Sequence, residues 1–96
     1  PQTWNDMKEL ERAILGQLSI AMGDGDPKSD EACKLVAMHR RWIGLNWGSE
    51  PQDEAYLGLA RGYLAGQRFV DYYDKPCGTG ATAFLVKAIE SSLACA

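Results

Sequence analysis

The sequence predicts an all-α fold of about five helices in a single domain. Apolar residues recur at steps of three and four along most of the chain, which is the spacing of one buried helical face. Glycine- and proline-containing loops separate these segments, and no segment shows the sustained alternation of a half-buried strand. The 96 residues, 46% of them hydrophobic, suffice for one core but not for two.

The first predicted helix spans residues 3–22, with Thr3 as its N-terminal cap. Trp4 lies in its first turn, where it can either complete the core or face a ligand, and the core role is favoured. The glycines and proline of residues 23–29 then form a loop. Two aspartates in this loop resemble the start of a calcium-binding loop, but the glycine and the glutamate that such a loop requires later are absent. We therefore expect a solvated loop.

The second predicted helix spans residues 30–48 and begins at a cap formed by Ser29 or Asp30. One face of this helix carries His39 and Trp42 among aliphatic residues. A histidine on an apolar face is more often a hydrogen-bonded core residue than a ligand or a base, so a core position is favoured. Haem binding is disfavoured because a single histidine is all that would support it.

The third predicted helix follows Ser49, its expected cap, has Pro51 in its first turn and ends at Gly66. Its tyrosines and leucines form an apolar face. Gly58 and Gly62 lie four residues apart on one side, where they would allow a neighbouring helix or a ligand to approach closely.

A short fourth helix is predicted over residues 67–74, followed by a connector over residues 75–80. The G-x-G in this connector lacks the preceding strand and the following lysine of a phosphate-binding loop. The last helix is predicted over residues 79–94, with Thr79 as its cap.

Composition excludes several classes of function. The net charge of −3 and the pI of about 5.0 argue against nucleic-acid binding by this chain itself. No apolar run approaches a membrane span and no secretory signal is visible, so we expect a cytoplasmic protein without a membrane partner. Because the chain begins at Pro1 without a methionine, it is expected to be a fragment of a longer protein.

The cysteines and the histidine do not form a recognisable catalytic or metal-binding pattern. Cys33, Cys77 and Cys95 are widely spaced, which predicts reduced thiols and neither a disulfide framework nor a zinc site. Cys77 precedes the last predicted helix, where Lys75 and the helix dipole would favour a thiolate, but an inert loop cysteine is favoured. We expect no enzyme activity, no metal and no cofactor.

Aromatic residues are concentrated in the last two thirds of the chain. They are Trp42, Trp47, Tyr56, Tyr63, Phe69, Tyr72, Tyr73 and Phe84. Some must belong to the core, and for each one the core is the favoured position. Their number and their polar groups also suit a cleft that stacks on flat, polar ligands.

Several motifs in order resemble one family. These are GDGDP at residues 23–27, the pattern H-R-x-x-I-x-x-N from His39 to Asn46, the acidic aromatic segment 53–64, Arg68–Phe69, and TAFLVKAI at residues 82–89. In this order they resemble the TipAS antibiotic-recognition domain, the effector-binding part of certain MerR-type transcription regulators.

The resemblance implies a globin-like all-α bundle over residues 1–96 that binds thiopeptide antibiotics or other aromatic drug-like molecules. It further implies that the DNA-binding part is an N-terminal domain absent from this chain, and that the full-length regulator is a homodimer. From the aromatic residues and this pattern we expect a ligand-binding set. It comprises His39, Trp42, Asn46, Trp47, Tyr56, Tyr63, Phe69 and Tyr73.

Some family members capture thiopeptides covalently on a cysteine just after the H-R-x-x-I-x-x-N helix. Here that region contains Ser49 and Glu50 and no cysteine, which predicts non-covalent binding. The alternative is a helical stress-signalling or protein-interaction domain, whose cleft is filled by its own side chains and which has no small-molecule ligand.

Overall fold

The computed structural model describes the backbone of residues 2–94 and the side chains of residues 5–93. It contains the helices α1 Gln2–Asp24, α2 Asp30–Trp47, α3 Asp53–Tyr63, α4 Gln67–Cys77 and α5 Ala81–Ala94. No strand occurs within residues 2–94. The predicted all-α fold of five helices is therefore confirmed. No helix in this part of the chain is both long and apolar enough to cross a membrane.

The helices α1 and α2 pack along each other, and α5 contacts each of the other four. Their apolar faces, together with those of α3 and α4, enclose one core. Its fully buried large members are Leu18, Leu35, Tyr56, Leu85 and Ile89. Helix α5 is thus the common packing partner of the other four helices.

Two polar contacts hold the connection between α1 and α2, and one of them is the predicted cap at Ser29. The Ser29 hydroxyl accepts a hydrogen bond from the backbone N–H of Ala32 at 3.1 Å, so Ser29 is the cap of α2. The buried Gln17 amide donates to the backbone carbonyl of Glu31 at 2.9 Å.

Helix α1 already includes Thr3, so the predicted cap at that residue is wrong. The side chain of Trp4 lies outside the described part of the chain.

The start of α3 differs from the prediction. The helix begins at Asp53 with Gln52 in the capping position, so neither Ser49 as the cap nor Pro51 in the first turn is correct. The reason is a competing contact, because the Pro51 carbonyl accepts two hydrogen bonds from the Arg40 guanidinium, at 2.6 and 3.2 Å. This contact holds the segment against α2 before the third helix can begin.

No neighbouring helix approaches Gly58 or Gly62, so that part of the prediction is wrong. A Cβ atom added at either position would have no atom within 4 Å outside the helix. The close approach occurs at Gly44 of α2, where a Cβ would lie 2.7 Å from Cγ of Glu50. The α2–α3 loop therefore folds back onto α2 at a position that only glycine fits without a shift.

Helix α4 continues through Pro76 to Cys77, three residues beyond the predicted end. Proline lacks one N–H, but in the last turn it removes a single helical hydrogen bond. Asp74 caps the following helix from this turn, because its carboxylate accepts from the backbone N–H groups of Thr82 at 2.8 Å and Gly80 at 3.1 Å. The predicted cap at Thr79 and the predicted start of the helix there are therefore wrong.

Candidate ligand-binding site

A cavity of about 280 Å³ opens between α2, α3 and α4. It is lined by Trp42, Ile43, Asn46, Trp47, Leu59, Tyr63, Phe69, Tyr72 and Tyr73. None of the described residues that line it is charged. A concave, aromatic wall with a few polar groups is typical of small-molecule sites.

The α2 wall follows from the helical repeat. Trp42 and Asn46 are four residues apart and so project from the same face. The Asn46 side-chain nitrogen donates to the backbone carbonyl of Trp42 at 2.9 Å, which fixes the orientation of the amide. Trp47 ends the helix and is 53% exposed, so its ring forms the outer rim of the cavity.

The opposite wall comes from α4, whose aromatic residues are spaced three and four residues apart. Phe69 packs on the Tyr63 ring with a centroid distance of 5.2 Å, which joins this wall to α3. The rings of Tyr72 and Tyr73 meet edge to face at 4.8 Å. Phe69 and Tyr72 are exposed, whereas Tyr73 is buried, so the wall runs from the surface into the core.

Behind this wall lies a buried network centred on His39. Its Nδ1 lies 2.7 Å from the Tyr56 hydroxyl, and its Nε2 lies 3.2 Å from the hydroxyls of both Tyr63 and Tyr73. The Tyr63 and Tyr73 hydroxyls thus share one nitrogen and are close enough to interact with each other. The Tyr56 hydroxyl reaches the Val36 carbonyl at 3.4 Å. The predicted core position of His39 is confirmed.

Burial sets the charge state of this network. It lowers the pKa of His39 from 6.5 to about 4, because an imidazolium in the core would lose its hydration. The same burial raises the pKa of Tyr56, Tyr63 and Tyr73. At neutral pH the imidazole and the three phenols are therefore uncharged.

Two flanking contacts hold the walls in place. The Arg40 guanidinium contacts Asp53 at 2.9 Å and lies over the Tyr56 ring at 5.2 Å, so it links α2 to the start of α3. The Tyr72 hydroxyl donates to the Glu11 carboxylate at 2.6 Å, which links α4 to α1. Burial and the adjacent Glu11 raise the pKa of Tyr72.

The structure brings together six of the eight predicted ligand-binding residues as cavity lining. These are Trp42, Asn46, Trp47, Tyr63, Phe69 and Tyr73. His39 and Tyr56 do not line the cavity, because both are fully buried behind it. They support the lining through hydrogen bonds and do not face the open space.

Sequence reasoning missed Ile43, Leu59 and Tyr72 among the lining residues. Helical spacing contained the signal for two of them. Leu59 precedes Tyr63 by four positions, and Tyr72 follows Phe69 by three, so each shares a face with a predicted residue. Ile43 was assigned to the core, and it is indeed 5% exposed while also reaching the cavity.

The described cysteines lie outside this cavity. Cys77 ends α4, and its thiol donates to the Leu15 carbonyl at 3.3 Å, so it is not the loop residue that the sequence predicts. Cys33 is exposed on α2, and Cys95 lies outside the described residues. Within the described side chains, no group of three or more His, Cys, Asp or Glu could hold a metal ion.

The uncharged, aromatic cavity in an all-α fold defines a candidate small-molecule-binding domain. A family model, the TipAS antibiotic-recognition domain, matches residues 1–91, and the chain belongs to this family. The chain is 28% identical over 89 residues to the HTH-type transcriptional regulator SkgA from two strains of Caulobacter vibrioides. The match covers 92% of this chain and 34% of each relative, so the chain spans about a third of their length. The comparison with solved structures finds no match.

Proposed function

We propose that this chain is the ligand-sensing domain of a MerR-type transcription regulator, and that it binds thiopeptide-like or other aromatic drug-like molecules reversibly. The observation that carries the proposal is the aromatic cavity between α2, α3 and α4. Membership of the TipAS family and similarity to a helix-turn-helix regulator support it.

The lining suits flat, uncharged ring systems. Aromatic side chains on both walls can stack on a ligand ring, and each buried aromatic contact adds to the hydrophobic gain. The volume of about 280 Å³ is at the lower end of small-molecule sites. A macrocyclic antibiotic would therefore insert one ring system, with the remainder lying over the exposed rings of Trp47 and Phe69.

Binding would be non-covalent. The residues just beyond α2, Ser49 and Glu50, provide no thiol, and neither Cys33 nor Cys77 lines the cavity. The affinity would then depend on ring stacking, apolar burial and the few polar groups of the lining.

The regulatory mechanism would be thermodynamic linkage. A ligand that prefers one arrangement of α4 against α2 and α3 shifts the domain toward that arrangement by the difference in affinity. The contact between Tyr72 and Glu11 would transmit this shift to α1. In our proposal, residues 1–96 form the effector domain, and a DNA-binding domain outside this chain belongs to a homodimeric regulator.

Tryptophan fluorescence tests the proposal directly, because Trp42 and Trp47 line the cavity. Titration with a thiopeptide and with other aromatic peptide antibiotics should give saturable quenching. Phe69→Ala should weaken the affinity about tenfold, the effect of losing one partly buried aromatic contact. Leu64→Ala is the matched control, because Leu64 is 51% exposed and does not line the cavity.

A protein-interaction role is the second candidate, since large apolar side chains are exposed around the cavity. The same pair of variants separates the two functions. A protein partner that covers both of these exposed side chains would be weakened by both Phe69→Ala and Leu64→Ala. A small molecule in the cavity would be weakened by Phe69→Ala alone. The absence of quenching across the whole antibiotic panel would count against the ligand-sensing function.

A further inference from the structure

The single histidine of the chain, His39, meets three tyrosine hydroxyls directly behind the cavity wall. Two of these tyrosines, Tyr63 and Tyr73, also line the cavity. A neutral imidazole has one N–H donor and one nitrogen that accepts. The direction of every hydrogen bond in the network therefore depends on which ring nitrogen carries the proton.

With the proton on Nδ1, the network is closed. The Nδ1–H group of His39 donates to the Tyr56 oxygen at 2.7 Å, and the Tyr56 hydroxyl donates to the Val36 carbonyl at 3.4 Å. Nε2 then accepts from either Tyr63 or Tyr73, and that hydroxyl accepts from the other. The imidazole proton and the three hydroxyl protons then each have a protein acceptor. The hydroxyl that is not bonded to Nε2 directly can therefore accept a hydrogen bond from a ligand but has no proton to donate.

With the proton on Nε2, the network is open. The Tyr56 hydroxyl now donates to Nδ1 of His39, and Nε2–H donates to one of the two remaining hydroxyls. One of Tyr63 and Tyr73 donates to the other, and the last hydroxyl proton has no acceptor among these groups. Both rings line the cavity, so a ligand that reaches this hydroxyl between α3 and α4 can accept the unmatched proton.

Each arrangement has one weakness. The closed network depends on the long 3.4 Å contact to Val36, and the open network leaves one hydroxyl proton unmatched. Exchange between them breaks the N–H bond at Nδ1 and forms one at Nε2. Water that enters during transient opening of the domain takes up the first proton and returns one to Nε2, after which the heavy atoms occupy the same places. A ligand that supplies the missing acceptor would therefore select the open arrangement.

We infer that the tautomer of His39 sets whether the cavity wall donates or accepts a hydrogen bond, so that one pocket recognises uncharged aromatic molecules bearing either an acceptor or a donor. His39 acts as a positioning residue through Tyr63 and Tyr73. Charged ligands are disfavoured, because no charged side chain among the described residues lines the cavity to compensate them. The inference rests on the proposed function of this cavity.

Nitrogen NMR of the full chain, labelled with ¹⁵N, tests this inference with three two-ring probes of similar shape. Quinoline carries a ring acceptor, indole carries a donor, naphthalene carries neither, and all are uncharged at neutral pH. The ¹⁵N shifts of the single histidine report its tautomer, and the tryptophan indole signals report occupancy. Quinoline should raise the population of the Nε2–H form, indole that of the Nδ1–H form, and naphthalene should change neither.

Conservative variants provide an independent measurement. Tyr73→Phe and Tyr63→Phe each remove one hydroxyl and keep the ring that lines the cavity. Each should reduce the preference for quinoline and indole over naphthalene about fivefold to tenfold, the loss of one hydrogen bond. Ser19→Ala is the control, since it removes an exposed hydroxyl on α1 that does not line the cavity, and it should keep both preferences.

The outcomes separate this inference from the function on which it rests. If quinoline and indole shift the indole signals of Trp42 and Trp47 while the His39 nitrogens stay unchanged, the inference is overturned and the proposed function stands. If none of the three probes shifts these indole signals at millimolar concentration, the proposed function of the cavity fails, and the inference fails with it.

Discussion

The hydroxyl oxygen of Tyr56 lies 2.7 Å from Nδ1 of His39 and joins α3 to α2 inside the core. Both side chains are fully buried. The two residues that sequence reasoning placed in a ligand site therefore form its support. Their hydrogen bond holds the α2 and α3 walls at a fixed separation, and through Nε2 it extends to Tyr63 and Tyr73 of the lining.

Tyr56→Phe should destabilise the domain by about 1–3 kcal/mol, because it leaves the buried Nδ1 of His39 without its hydrogen-bond partner. The loss is measured by urea unfolding. Tyr72→Phe removes a hydroxyl of the same kind from an exposed contact with Glu11 and should cost at most about 1 kcal/mol. Equal losses in the two variants would mean that the buried network contributes no more than a surface contact.

The stability of the domain should fall as the pH falls from about 6.5 toward 4. His39 has a pKa of about 4 in the folded protein, against 6.5 when unfolded, so the unfolded state binds the proton first. The stabilisation is fully present above pH 6.5 and is lost as the pH falls through 4. Each factor of ten in the ionisation constant is worth about 1.4 kcal/mol, so the total loss is about 3 kcal/mol. Urea unfolding at a series of pH values measures it.

His39→Gln provides the control for this pH dependence, because glutamine offers a donor and an acceptor and does not titrate. The variant should lose little stability between pH 6.5 and 4. The Asp74 carboxylate titrates outside this pH range. Hydrogen bonds from Thr82 and Gly80 lower its pKa below 3.8, so the stability that it contributes is lost at a lower pH than that of His39. If the stability of the variant and of the parent protein fell equally with pH, the pH dependence would come from groups other than His39.

Helical spacing was sufficient to predict both the fold class and most of the cavity. The repeat that aligns Trp42 with Asn46 is local, and the same holds for Tyr63 in α3 and for Phe69 and Tyr73 in α4. Because all three helices pack against α5, residues on their inward faces meet. The same spacing adds Tyr72, three residues after Phe69, and Leu59, four residues before Tyr63, when every residue of an inward face is included.

Sequence reasoning missed contacts of two kinds. Some join residues far apart in the chain, and in others a second residue competes for the group that the prediction had assigned. Tyr73 reaches His39 across 34 positions, a pairing that no local spacing contains. Thr79 has the right residue type for a cap, but the Asp74 carboxylate reaches the same helix end from α4. Pro51 suits a first helical turn, yet its carbonyl is taken by Arg40.

Asp74→Asn should destabilise the domain by about 1–2 kcal/mol. The carboxylate of Asp74 accepts hydrogen bonds from two backbone N–H groups and from the Thr82 hydroxyl at the start of α5. Its negative charge also interacts favourably with the helix dipole at this end. Asp71→Asn is the matched control, because its partner is the exposed Gln67 amide, and it should change the stability by less than about 0.5 kcal/mol. Thermal and urea unfolding both measure the difference, and an equal effect of the two substitutions would contradict the capping role.

Gly44→Ala should destabilise the domain by about 1–2 kcal/mol, although alanine normally favours a helix by up to about 1 kcal/mol. The added Cβ would lie 2.7 Å from Cγ of Glu50 and 3.1 Å from its Cα and backbone nitrogen. Rotation of the Glu50 side chain can relieve the first contact but not the two with the backbone, so the α2–α3 loop must shift. The midpoint of urea unfolding measures the change.

Gly58→Ala makes the same chemical change within α3, and it should have the opposite sign. A Cβ at Gly58 meets no atom within 4 Å, so the lower conformational entropy of the unfolded chain should stabilise the domain by about 0.5–1 kcal/mol. The pair separates steric contact from helix propensity, since both glycines lie inside helices. If both variants were more stable than the parent protein, the prediction would be contradicted. The loop would then accommodate a methyl group at Gly44 without cost, and the packing of Glu50 on α2 would not constrain the fold.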